Sequence, residues 1–249
     1  MHTGNLLLHC GGGAADLERL RAVRTPPSTR TYTAVPFDEL RDRVVDSAES
    51  RGLAVIDERW GLARGDRRAF GVITLRDTGA PDQQGDDLSM GMAIGVRSSH
   101  DQSLPVGLCA GSQVFVCDNL AFTAMGLVEM RRHSRHAWPD ITAMVERVLD
   151  VLPATHTYMQ SLRDALVGTS VEDEEGMEAL GVMYGRKVIT NRQFTVAMKH
   201  WLQPPDAFVD RSAWSLYNSV TEGLKHGEAG TLLGRHMDAE AWVRDRWVA

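Results

Sequence analysis

What the 249-residue chain lacks narrows its class before anything present does. It has three cysteines, Cys10, Cys109 and Cys117, an odd number at irregular spacing. That speaks against a disulfide framework and describes free thiols in a reducing compartment. No apolar run approaches the roughly 18 residues that a membrane-spanning helix requires. The opening MHTGNLLLHCGGG has three leucines and no basic start, a poor match to a secretory leader. The net charge of −6 argues against a surface coated in positive charge to grip nucleic acid without selectivity. Internal repeats and low-complexity tracts are not found. Gly11-Gly12-Gly13 follows no convincing strand and lacks the later Gly, Lys and Ser/Thr of a phosphate-binding loop. The expectation from these absences is a cytoplasmic protein without membrane association and without a cofactor.

What is present describes an ordinary globular chain. Hydrophobic residues make up 43% and charged residues 24%, enough to bury a sizeable core. The charge is segregated along the sequence. Acids crowd into Asp38–Glu58, Asp77–Asp87 and Glu172–Glu178. Gly181–Pro205, by contrast, carries Arg186, Lys187, Arg192 and Lys199 and no acid at all. A second basic island, Arg131-Arg132-His133-Ser134-Arg135-His136, has only Glu129 near it, and a third spans Arg19–Arg30. An acidic chain with such patterning still presents basic faces.

Periodicity gives the organisation. Residues 14–24 read as a short amphipathic helix, and the prolines of TPPSTR end it. TYTAV reads as a strand. Pro36 then opens a helix through about Ser50, its stripe made by Leu40, Val44, Val45 and Ala48. LAVIDERWGLA, RAFGVITLR, LSMGMAIGVRSS and SQVFVCD read as a strand meander, with Gly71, Gly91 and Gly95 marking bulges or close approaches. Asn119 is placed to cap a helix through Gly126, and LVEMRRH reads as a further short strand. From Trp138 the pattern is helical: Asp140–Leu152, Thr155–Val167, Met177–Met183, Asn191–Leu202, Arg211–His226 and Met237–Trp247. The fold class is therefore α+β, a helix and an antiparallel meander followed by a largely helical half. The expected division is an N-terminal segment 1–30, an α+β core 31–137 and a helical region 138–249.

Four groups of residues carry candidate chemistry. His100-Asp101 lies between two strands in SSHDQSLP, where general-base chemistry competes with turn building by Ser99, Asp101 and Ser103. Cys117 is a nucleophile if His100 or His133 serves it, and a small buried hydrophobe otherwise. A zinc site from Cys109, Cys117, His100 and His133 lacks the close paired spacing of structural zinc. In the acid-free window, Tyr184, Phe194 and Trp201 interleave with the basic residues as in single-strand-binding grooves. Phe194, Met198 and Trp201 also share one helical face, which equally describes a buried stripe.

RSSHDQSLP, VFVCDNLAF, RRHSRH and RSAWSLYNSVTE, in that order, resemble the uncharacterised phage- and plasmid-related proteins sharing the domain of unknown function numbered nine-three-two. Members show a Ser-His-Asp-like turn, a strand ending Val-Cys-x-Asn, a following Arg-His, and a late Trp-x-x-x-Asn-x-x-Thr-Glu. The matching residues are Ser99, His100, Asp101 and Ser103; Val116, Cys117 and Asn119; Arg132 with His133 or His136; and Trp214, Tyr217, Asn218, Thr221 and Glu222. The resemblance covers the chain from about residue 31 onward, and the family's phage and plasmid setting implies a role in DNA replication, recombination or defence evasion. The order of elements is also similar to the core of single-strand annealing proteins of the Rad-fifty-two type, which implies ring-like homo-oligomers with a basic groove.

The leading expectation is a non-enzymatic, homo-oligomeric protein that binds single-stranded DNA. Its contacts are Arg131, Arg132, Arg135, Arg186, Lys187, Arg192 and Lys199 on phosphates, with Trp201 or Tyr184 for stacking. The alternatives are an enzyme with Cys117, His100, Asp101 and His133 in one pocket, and a protein whose acidic faces capture a host factor.

Overall fold

In a computed structural model, the described residues are 12–79, 90–114, 119–121, 128–205, 210–227 and 229–248. The chain divides into two units. One takes in the described residues of Met1–Asp82, Gly91–Gly111 and Gly126–Ala154, and the other those of Gln83–Met90, Ser112–Met125 and Thr155–Ala249.

The first unit is a sheet with helices on one face. Its strands are β1 (Gly13–Ala15), β2 (Leu53–Ala63), β3 (Arg68–Asp77), β4 (Met90–Ser99), β5 (Val106–Val114, the last three residues falling in the second unit) and, on β5, β7 (Val128–Arg131). Antiparallel registers place Trp60 opposite Gly71, Phe70 opposite Arg97, and Gly107 opposite Met130. Because successive side chains alternate between faces, Ala69, Ile73 and Leu75 all enter one core. Met92, Ile94 and Val96 join them from β4, and Val106, Leu108 and Ala110 from β5.

The helices α1 (Leu17–Ala22), α2 (Phe37–Glu49) and the first half of α3 (Ala137–Val167) cover that core. Phe37, Leu40, Val44, Val45 and Ala48 form the buried stripe of α2. Burial of each such large apolar side chain contributes about 1.5–3 kcal/mol. Arg41 on the flank of α2 grips Glu58 of β2 through two hydrogen bonds of 2.9 Å, fixing helix to strand. Gly71 is neither a bulge nor a ligand seat. A Cβ there would fall 2.4 Å from the Trp60 ring, which occupies the space. The irregularity in the meander sits instead in β2, between Val55 and Asp57.

Among the described residues the second unit is helical apart from Met90 at the start of β4, the end of β5, and β6 (Asn119–Ala121), with Ser112 of β5 paired to Ala121 of β6. Its helices are the second half of α3, α4 (Asp173–Gly185), α5 (Asn191–Leu202), α6 (Ala213–Leu224) and α7 (Ala229–Trp247). Their core gathers Met159, Leu180, Met183, Trp201, Trp214, Tyr217 and Val243. No helix among the described residues is long and apolar enough to cross a membrane.

The α+β class is as the pattern predicts, and the local departures have physical causes. TYTAV joins no strand. Residues 28–36 are held instead by side-chain bonds, including Ser28 Oγ accepting from Ala34 N–H at 3.1 Å. Asn119 begins a strand rather than capping a helix, because its segment hydrogen-bonds to β5. The two helices expected on either side of Pro153 are one, α3, with the proline inside it.

Candidate nucleic-acid interface

The motif that looked most like chemistry is a structural turn. Ser99 Oγ donates to Leu104 O at 3.0 Å and accepts from Leu104 N–H at 2.9 Å, closing the loop after β4. Asp101 Oδ1 accepts from the backbone and hydroxyl of Ser103, and Arg68 approaches its other oxygen at 3.2 Å. Burial alone would raise the Asp101 carboxyl. The Ser103 hydrogen bonds and the charge of Arg68 overcome that and bring it down to about 2. His100 lies flat on Phe37, ring centroids 3.9 Å apart, and its Nε2–H donates to Val35 O at 3.0 Å. His133 donates from Nδ1 to Thr33 O at 3.2 Å, while Thr33 N–H returns a bond to His133 O at 3.1 Å. The two imidazoles thus pin the extended segment before α2. Burial lowers the pKa of both, so each is neutral near pH 7.

Cys117, the nucleophile of the enzyme reading, lies outside the described residues. Cys109 is buried, and burial pushes its thiol up to about 12, an unreactive state. No cluster of three or more His, Cys, Asp or Glu side chains among the described residues is placed to hold a metal ion.

The late motif forms α6, a helix buried on nearly every side. Its polar residues turn inward on their own backbone. Asn218 Nδ2 donates to Trp214 O at 2.9 Å, Ser219 Oγ to Ser215 O at 3.0 Å, and Thr221 Oγ1 to Asn218 O at 3.0 Å. Side chains satisfied in this way let a helix with polar faces serve as the centre of a bundle. Trp214 is 1% exposed and packs on Tyr217.

The basic window forms a surface. It begins where α4 ends. Val188 N–H bonds Met183 O and Lys187 N–H bonds Tyr184 O, both at 3.0 Å, a Schellman-type close. Lys187 occupies its left-handed position with φ 63°, where glycine is usual. Arg235 of α7 donates to Lys187 O at 3.2 Å and Val188 O at 2.9 Å, holding the turn and adding a cation to it. Thr190 and Gln193 then form a capping box that starts α5.

Arg186, Lys187, Arg192 and Lys199 are all exposed, and no carboxylate among the described residues pairs with any of them. Tyr184, 44% exposed, leans on Phe194 with ring centroids 5.5 Å apart. Trp201 belongs to the core and corrects the expectation that it stacks on a ligand. It is 1% exposed, lies against Gly176, donates to Asp173 O at 3.3 Å, and is covered by the Arg211 guanidinium at 4.4 Å.

The island around residue 131 is in the first unit and is partly spent on ion pairs. Arg131 pairs with Asp140 at 2.7 Å, and Arg135 donates to the His136 ring at 3.1 Å. Arg132 is exposed. Arg235 escaped the sequence reading, since it stands 36 residues beyond Lys199 and only the packing of α7 brings it to the turn.

Neither the curated proteins nor the solved structures contain a match to the chain. The family model described as Domain of unknown function (DUF932) matches residues 28–246, and the chain belongs to that family.

Proposed function

We propose that this member of the family binds single-stranded nucleic acid through the α4–α5 turn of its second unit. The observation that carries the reading is the exposed group Arg186, Lys187, Arg192 and Lys199, none of them in an ion pair with a carboxylate among the described residues, together with the exposed ring of Tyr184. Cations without carboxylate partners are free to replace the counterions of a phosphate backbone. An exposed aromatic ring offers a stacking surface to an unpaired base and none to a base inside a duplex. With a net charge of −6, binding has to be local, on this turn, rather than a property of the whole surface. Strands of this kind are exposed in replication and recombination, where a binding protein of this type acts.

Fluorescence anisotropy of a labelled oligothymidylate is the test. Binding is expected at about 50 mM salt, with log affinity falling against log salt at a slope of about −3 for four phosphate contacts. Arg186→Glu with Lys187→Glu should abolish most of it. Absence of binding at that ionic strength, or affinity indifferent to the double charge reversal, overturns the proposal.

A further inference from the structure

The sheet of the first unit has a second face, opposite the one that α2 and α3 cover. It is buried at Val72, Thr74, Ala93 and Cys109 and partly exposed at Phe70 and Arg97. Registers line up one row across it: Ala14 on β1, Gly61 on β2, Phe70 on β3 and Arg97 on β4, with Gly107 on β5 opposite Met130 on β7. Arg97 and Gly107 are neighbours in that row, since a Cβ on Gly107 would lie 2.9 Å from Arg97 Nε. Glycine at 107 is what lets the guanidinium lie down on the sheet. Ala14, Gly61 and Gly107 leave the row shallow, and the side chains rising from it are one aromatic ring, one guanidinium and the half-exposed thioether of Met130. Glycines inside strands mark places where another group approaches the backbone closely.

Charge on this face is uneven. Arg59 is matched by Asp57 at 2.8 Å, and Arg68 by Asp101 at 3.2 Å. Arg97 has neither. Its hydrogen bond is to Met130 Sδ at 3.2 Å, a weak acceptor, and no carboxylate among the described residues approaches it. Burial lowers its pKa, and the only offsetting influence is the Cys109 thiol, itself held neutral. An arginine stays charged in a protein, so a half-desolvated guanidinium without an anion is a cost that a bound anion would relieve.

We infer that the Ala14–Met130 row is a nucleotide subsite for single-stranded nucleic acid, with Arg97 taking a backbone phosphate and Phe70 stacking an unpaired base. The subsite rests on the reading of the α4–α5 turn as a single-strand binder and adds a second, separate contact to it. Phe70 and Arg97 stand directly opposite each other in the β3–β4 register, so ring and cation are presented side by side on one face. A charge-assisted hydrogen bond and a base–aromatic stack are each large enough for removal to weaken binding about tenfold.

The experiment uses the full chain and an oligothymidylate carrying one photoreactive 5-iodouracil, read by anisotropy and by mapping the cross-linked peptides. Adducts are expected on the β3 peptide containing Phe70 and on the α4 peptide containing Tyr184. Arg97→Gln and Phe70→Leu should each weaken binding about tenfold and remove the β3 adduct, while Arg97→Lys retains most of both. Wild-type adducts confined to Tyr184, with affinity unchanged in Phe70→Leu, overturn the subsite and leave the turn standing. Absence of any binding by the wild type overturns both. The wild-type cross-link map decides the matter even if Arg97→Gln melts early.

Discussion

Lys187 holds a backbone conformation that glycine would hold at less cost. Its φ of 63° closes α4, and a non-glycine residue there gives up roughly 1 kcal/mol. Nothing in its packing accounts for the side chain, which is exposed. Arg64, Asp66 and Gln102 hold the same left-handed conformation, so what sets Lys187 apart is its exposed charge next to Arg186 on the turn read as a phosphate contact. Lys187→Gly is therefore expected to raise stability by about 1 kcal/mol in urea denaturation, and to weaken oligonucleotide binding. A variant that gains stability and binds as before would show that Lys187 makes no phosphate contact. His100 and Cys109 illustrate the opposite case. Both have chemically versatile side chains, and the structure commits one to Val35 O and Phe37 and buries the other.

Among the elements, α5 separates what packs from what is presented. Gln193, Ala197 and Trp201 face the core, while Arg192, Thr195 and Lys199 face out. The 3.6-residue period shows such a helix in the sequence, but period alone does not say which of two aromatic residues is wet. Trp201 lies inside because Gly176 of α4 leaves room for its ring, a complementarity between residues 25 positions apart. Tyr184 lies outside, one position past the buried Met183 in the last turn of α4.

The same limit explains the other departures. TYTAV has the composition of a strand, yet the partners that hold it are two histidines 65 and 100 residues away. Asn119 has the chemistry of a helix cap, yet a strand earlier in the chain supplies its ladder. Patterning alone was enough for α2, α5, α6 and the strands β2, β3 and β4; it divided α3 at Pro153, started the fourth strand at Ser112 where β5 starts at Val106, and left pairing choices illegible. Trp201→Ala should cost about 3–5 kcal/mol of stability through the cavity it leaves, whereas Tyr184→Ala should leave thermal melting nearly unchanged and weaken oligonucleotide binding. If the two variants exchange these effects, the assignment of core and surface on α4 and α5 is wrong.

At the scale of the whole molecule, burial of histidine sets the response to acid. His100, His133, His156, His200 and His236 all have pKa values lowered by desolvation, and that of His236, fully buried in α7, falls to about 4. In the unfolded chain each returns to about 6.5. Below that value the unfolded state binds protons that the folded state refuses, so stability declines as pH falls. The decline begins near pH 6.5 and continues toward pH 4, and His236 alone accounts for on the order of 3 kcal/mol across that window. Asp101 adds a separate loss at lower pH, since its carboxyl is held near 2 when folded and is protonated earlier when unfolded. Above about pH 7.5 these histidines are almost wholly neutral in both states, and they contribute little slope there. Melting temperature measured from pH 8 to pH 4 should be flat on the alkaline side and fall steeply below 6.5. His236→Leu, which removes the most deeply shifted group, should flatten the lower part of the curve. A melting temperature independent of pH between 6.5 and 4.5 would mean that these rings are protonated as readily in the folded protein as in the unfolded chain. Both units would be affected, because His100 and His133 pin the segment before α2 while His236 lies in the helical unit.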